Sequence, residues 1–308
     1  MIISTGMRTD IPAFYAQWLL RRIAEGFVCV RNPYYPNHVT KYLLDPTVVD
    51  CLCFCTKNPL PLLPDLDKLN AYRQFWMVTI TPYGKDYEPN VPDKSQVIEG
   101  FKTIAKRVGV NGIAWRYDPV FITPEYTVQR HIAEFTKLCQ ALKGYTNACV
   151  LSFLDMYDKV KRNAPGIRPP TRTEELALGK AFAAIAQANG ITIRTCCEGT
   201  HLAEFGIDVA GCQTKAVIER AIGVTLNPPK RPNVRAVCDC LLGQDIGAYN
   251  TCGHLCKYCY ANQHPRSVNK NRQLHDPNSP FLIGNWQKGD KITLAKQESY
   301  IDPQISLF

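Results

Sequence analysis

The stretches VVDCLCFCTKN (48–58) and QFWMVTITPYG (74–84) decide how this chain is read. Each is a short apolar run that closes on polar residues, as a buried strand does. The segment that follows, 93–108, has an amphipathic helical pattern and stops at Gly109. Short apolar strands separated by helices of this length imply crossover connections, and hence parallel pairing.

Outward from that core the rhythm continues. MIIST (1–5), GFVCVRN (26–32), GIAWRYDP (112–119), ACVLSFLD (148–155) and ITIRTCCE (191–198) are further strand candidates. Helical segments are expected over 10–22, 123–143, 173–188 and 213–222, the first with Pro12 in its opening turn. Seven such units over 1–226 suggest an α/β fold of the (β/α) barrel kind, complete or partial. An open doubly wound sheet is the alternative. NPPKRPNVR (227–235) breaks the rhythm and opens a smaller cysteine-rich module over 227–275, followed by a tail over 276–308.

Apolar residues make up 45% and aromatics 10%, which marks a globular chain. No apolar run reaches about 18 residues, so no membrane span is expected. The start lacks the basic-then-apolar pattern of a signal peptide, which predicts a cytoplasmic protein. In that compartment the 14 cysteines are expected to be metal ligands, catalytic groups or small buried residues rather than disulfides. Cys29, Cys139 and Cys149, each isolated in an apolar segment, read as buried. The net charge of +9 favours an anionic partner such as nucleic acid.

Polar residues recur at the strand ends: Arg8 and Asp10, Arg31, Lys57, Tyr83, Arg116 with Tyr117 and Asp118, Ser152 and Asp155, Arg194 with Cys196 and Glu198. In a parallel barrel these ends share one face, where active sites of that architecture lie. Ordinary turns would supply Gly, Ser, Asn and Asp. The arginines and lysine instead predict an anion or carboxylate to meet them. Phosphate or a cofactor carboxylate is expected on Arg8, Arg31, Lys57 and Arg116, hydrogen bonding from Asp118 or Glu198, and stacking on Tyr117 or Tyr83.

The loop YNTCGHLCKYCYANQ (249–263) sets Cys252, Cys256 and Cys259 in a Cys-x3-Cys-x2-Cys spacing. Three thiolates can hold three irons of a [4Fe–4S] cube and leave the fourth open. Zinc with His254 or His264 as fourth ligand is the alternative, although zinc arms usually pair two Cys-x2-Cys units. Four of the five cysteines Cys196, Cys197, Cys212, Cys238 and Cys240 are candidates for a second cluster, with Cys196, Cys212, Cys238 and Cys240 the preferred set. Their dispersal in the chain equally allows reduced structural thiols.

The spacing, with Tyr258 and Tyr260 flanking Cys259, resembles the signature of radical S-adenosylmethionine enzymes. That resemblance implies S-adenosylmethionine on the open iron, an electron donor, and hydrogen-atom abstraction by a 5′-deoxyadenosyl radical. Their cysteine loop follows the first strand; here the barrel-like part precedes it, so the loop is expected to dock on the polar face. RTDIPAF, FVCVRNPY, TKNP, TPYGKD, WRYDP, SFLD, DIGAYNTCGHLCKYCYAN and HDPNSP together resemble an uncharacterised bacterial family with a C-terminal cysteine cluster of this kind. Cys55 stands where that family usually has an aromatic residue.

The chain closes on QISLF, where Gln304, Leu307 and Phe308 resemble the pentapeptide by which bacterial repair and replication proteins bind the sliding clamp. The two apolar side chains would each contribute about 1.5–3 kcal/mol in an apolar pocket. The combined expectation is a radical enzyme on nucleic acid, similar in class to spore photoproduct lyase. The rival expectations are an iron–sulfur binding protein without radical chemistry and a radical enzyme on a small metabolite.

Overall fold

Alternation along each central strand divides the fold into two packed faces. The computed structural model describes residues 1–229 and 238–302. In chain order the first elements are β1 (Ile2–Ser4), α1 (Ile11–Phe14), α2 (Ala16–Glu25), β2 (Phe27–Arg31), β3 (His38–Leu43), β4 (Cys51–Thr56) and β5 (Gln74–Thr79). Then come α3 (Lys94–Val108), β6 (Ile113–Val120), α4 (Val128–Leu142), β7 (Ala148–Phe153), α5 (Asp158–Asn163) and α6 (Arg172–Ala188). The last are β8 (Thr192–Thr195), α7 (Lys215–Ile222), β9 (Gln244–Asp245), α8 (Pro265–Gln273) and β10 (Lys291–Leu294).

The main sheet has seven strands in the order β8-β7-β6-β5-β4-β1-β9, and every pairing is parallel. The expected α/β fold with a parallel sheet is therefore present, but the sheet is open: β8 and β9 are its two edges. A closed barrel is corrected, and so is doubly wound order, because the strands from β4 to β8 advance in one direction without a reversal.

Two features keep the barrel from closing. The segment expected as the second barrel strand, β2, pairs antiparallel with β3 instead, and β10 completes that separate three-stranded sheet. The face that would be a barrel interior is filled from outside the sheet. Ile2, Cys51, Cys53, Phe75, Met77, Ala114 and Val150 pack there with Cys212, Val217, Ile218 and Leu226. The opposite face, with Phe54, Trp76, Trp115, Tyr117 and Leu151, packs against residues of α2, α3, α4 and α6.

Local chemistry explains the helix starts. Asp10 caps α1 by accepting from the Ala13 N–H at 3.1 Å. Thr171 and Glu174 form a reciprocal capping box on α6. Thr127 caps α4 at Val128, so Thr123 and Pro124 belong to the preceding turn rather than to the helix expected from residue 123. Cys29, Cys139 and Cys149 are buried, as read from the sequence.

Residues after 237 complete structures begun near the start. β9 extends the main sheet beside β1, and β10 joins β3. The Ser279 carbonyl accepts from the Trp18 indole N–H at 2.9 Å, and with β10 this packs parts of 276–302 onto the body of the fold. Among the described residues no helix is long and apolar enough to cross a membrane.

Candidate functional site

Asp10 organises the carboxyl ends of the strands. It sits just after β1, buried, and its second carboxylate oxygen accepts from the Lys57 backbone N–H at 2.7 Å. The same oxygen contacts His254 Nε2 at 2.9 Å. One side chain thus ties the ends of β1 and β4 to the cysteine loop. Gly6 permits this closeness, since a Cβ there would lie 2.1 Å from the Cys55 carbonyl oxygen.

Glu88 makes the second tie. It lies in the segment after β5 and accepts from Lys57 Nζ at 2.8 Å, from Thr81 Oγ1 at 2.6 Å and from the Tyr258 hydroxyl. Burial pushes the Glu88 carboxyl upward, but Lys57 and these donors outweigh it and hold the group below its usual range. Burial acts on Lys57 in the opposite sense, and Glu88 with Cys256 outweighs it to keep the ammonium charged. Backbone bonds from Asn90 to the His254 carbonyl and from Lys257 to the Tyr87 carbonyl fix the loop to the same segment. The Tyr260 hydroxyl reaches the Met7 carbonyl beyond β1. The cysteine loop therefore docks on the carboxyl-end rim.

Within the loop, Asn250 and Leu255 adopt left-handed backbone conformations, with φ of 57° and 56°. This tight winding buries Cys256 and leaves Cys252 half-buried. Burial, then Asp10 and the other two thiols, raise Cys252 well above the usual thiol range. Burial raises Cys256 as well, against the nearby Lys57 ammonium. As protonated groups these thiols are costly to ionise where they lie; a cationic metal centre would remove that cost. Three thiols on one loop, with Lys57 alongside, suit an iron–sulfur group in donor type and position. As placed, no three His, Cys, Asp or Glu side chains among the described residues meet around a common ion.

The cationic rim differs from expectation. Every expected cation is met by a carboxylate of the chain itself: Arg8 by Asp245 at 2.6 Å, Lys57 by Glu88 at 2.8 Å, and Arg116 by Asp118. Arg31 is not at the rim. It belongs to the separate sheet, pairs with Asp290 and lies over the Phe281 ring. Its expected cofactor role is corrected, as β2 left the main sheet. Tyr117 is also corrected. It points to the helix-covered face, fully buried, with its hydroxyl on His131 Nδ1 at 2.8 Å. Tyr83 stacks on Phe121 in a buried cluster and offers no free ring face there. Odd and even positions of one strand face opposite ways, so Arg116 and Asp118 stay on the rim while Tyr117 leaves it.

Glu198 accepts from Ser152 Oγ at 2.7 Å and from the Phe153 N–H at 3.1 Å. Burial pushes its carboxyl up to about 7. Arg116 also donates to Cys55 Sγ at 3.0 Å. Glu88 escaped the sequence reading as a site residue, and His254 entered it only as an alternative zinc ligand, not as the partner of Asp10. Glu88 lies well beyond its strand, and its only local signal is an acidic residue in the turn-rich TPYGKDYEPN. Gln304, Leu307 and Phe308 lie outside the described residues.

An open parallel α/β sheet with a late cysteine loop on its carboxyl rim defines the class of this protein. The chain belongs to the family described as Domain of unknown function (DUF1848), whose model matches residues 2–261. No curated protein matches the chain.

Proposed function

We propose that this chain is a [4Fe–4S] enzyme of the radical S-adenosylmethionine type. The observation that carries the reading is the docking of the Cys252–Cys256–Cys259 loop on the strand-end rim through Asp10–His254 and Glu88–Tyr258. Cys252, Cys256 and Cys259 would hold the cluster. When bound, the cluster and S-adenosylmethionine supply a radical that abstracts a hydrogen atom, fed by an external electron donor. The rest falls to side chains of the rim. Lys57 is a fixed positive charge beside Cys256, and Glu88 holds it there. Tyr258 and Glu88 lock the loop, and Tyr260 packs its hydroxyl on Met7. Glu198 is suited to hold a proton near neutral pH at the end of β8.

Nucleic acid as substrate rests on the net charge of +9 and on the terminal QISLF. The rim cations do not add to it, since each is paired within the chain. Recruitment by the bacterial sliding clamp is proposed through Gln304, Leu307 and Phe308.

Oxygen-free reconstitution tests the first reading. It should give about four irons on the loop and, with reductant and S-adenosylmethionine, 5′-deoxyadenosine. Cys252→Ser, Cys256→Ser and Cys259→Ser should each lose both. Iron without any 5′-deoxyadenosine would leave an iron–sulfur protein of another kind. A clamp pulldown compares the intact chain with Leu307→Ala/Phe308→Ala; equal retention removes the tethering proposal.

A further inference from the structure

The second face of the sheet gathers cysteines that are far apart in sequence. Cys212 Sγ lies 3.6 Å from Cys196 Sγ and 3.8 Å from Cys240 Sγ. The Cys238 thiol lies beside those of Cys240 and Cys197. The four thiols form an open chain of contacts, Cys196–Cys212–Cys240–Cys238, and as placed they do not surround a common point. They come from the end of β8, the turn before α7 and the segment before β9.

We infer that Cys196, Cys212, Cys238 and Cys240 form a mononuclear tetrathiolate site for zinc, separate from the loop at Cys252. Zn–S bonds of about 2.3 Å arranged tetrahedrally place the sulfurs about 3.8 Å apart. The two Sγ–Sγ separations, 3.6 and 3.8 Å, are close to that edge. A [4Fe–4S] cube binds each thiolate on a different iron and needs a wider set. Two thiols in simple contact have a similar spacing, so the distances do not stand alone.

Convergence and space supply the independent observations. Four thiols from three segments remote in sequence meet on one face of the sheet. Arg116 and Arg194 lie near them, but each is paired with a carboxylate of the chain, Asp118 and Asp208, so neither neutralises the site. Gly211 has φ of +137°, and a Cβ there would lie 2.8 Å from Cys240 Sγ and 3.6 Å from Cys238 Sγ. The backbone before Cys212 is thus drawn against the thiols as closely as it can be. Binding releases the four thiol protons and closes the chain of contacts into a tetrahedron, with no change of oxidation state. The site then clips α7 and the segment before β9 onto the second face of the sheet, where a barrel would have an interior.

The test uses the full chain purified without oxygen, with zinc and iron measured by plasma mass spectrometry. About one zinc per chain is expected. Cys212→Ser and Cys240→Ser should each lose at least nine-tenths of the zinc and keep the iron, and Cys252→Ser should do the reverse. Cys197→Ser should keep its zinc. Should the serine variants fail to fold, metal-stripped wild-type chain titrated with cobalt(II) should show the intense charge-transfer and d–d bands of a tetrahedral tetrathiolate. Zinc retained by both Cys212→Ser and Cys240→Ser, iron lost in place of zinc, a Cys196–Cys212 disulfide on thiol mapping, or a cobalt spectrum without those bands would each overturn the assignment.

Discussion

Removing the charge of Glu88 while keeping its shape is the sharpest probe of how the cysteine loop is held. The Glu88 side chain is 4% exposed and that of Lys57 15%. Glu88→Gln leaves an oxygen for the Thr81 and Tyr258 hydroxyls but strands the Lys57 ammonium in the interior. Losing one partner of a buried pair costs about 3–5 kcal/mol. Lys57→Met is milder, about 1–3 kcal/mol, because the remaining carboxylate keeps two hydroxyl donors. The double variant Lys57→Met/Glu88→Gln has no stranded charge, so the cycle should show about 2 kcal/mol of coupling or more. Urea unfolding followed by circular dichroism, on metal-free chain, measures all four corners. A cost under about 1 kcal/mol for Glu88→Gln, with the two single changes additive within about 0.5 kcal/mol, would refute the linkage between Lys57, Glu88 and Tyr258.

Asp10→Asn keeps the cap on α1 but weakens the acceptor shared by His254 and the Lys57 N–H; about 1–3 kcal/mol of stability and faster loss of iron on chelation are expected, the latter read from the decay of cluster absorbance. Gly211→Ala forces a side chain into left-handed backbone and against Cys240; a drop of at least 2 kcal/mol with loss of zinc is expected, and an unchanged melting temperature would contradict the packing there. His131 donates from Nε2 to the Phe121 carbonyl at 2.8 Å and accepts the Tyr117 hydroxyl at Nδ1, a tautomer assigned from those partners. Burial holds its pKa down to about 4, against 6.5 when unfolded. The unfolded chain therefore takes up the proton first, and stability should fall as pH drops from 6.5 towards 4, by about 3 kcal/mol at pH 4. His131→Gln should flatten that slope in denaturation curves taken across the window.

Much of the fold was legible because strands and helices leave local periodicities. VVDCLCFCTKN and QFWMVTITPYG became the adjacent central strands β4 and β5, and Gly109 ended α3 as read. The strand over 26–32 was legible as a strand but not as a member of the wrong sheet, since pairing partners are not written in one strand. The same limit hid Tyr117, whose neighbours Arg116 and Asp118 stay at the rim: which parity faces the helices is decided only when the sheet is covered on both sides.

The amino-acid order alone determined the element types, the parallel pairing that crossover helices require, and the spacing of Cys252, Cys256 and Cys259, because each depends on residues a few positions apart. Tertiary structure decided that the sheet stays open, that α7 fills one face, that the rim cations find carboxylates, and that Cys196, Cys212, Cys238 and Cys240 lie together. Those outcomes depend on contacts between distant segments, whose free energy is set by packing and burial rather than by any local pattern.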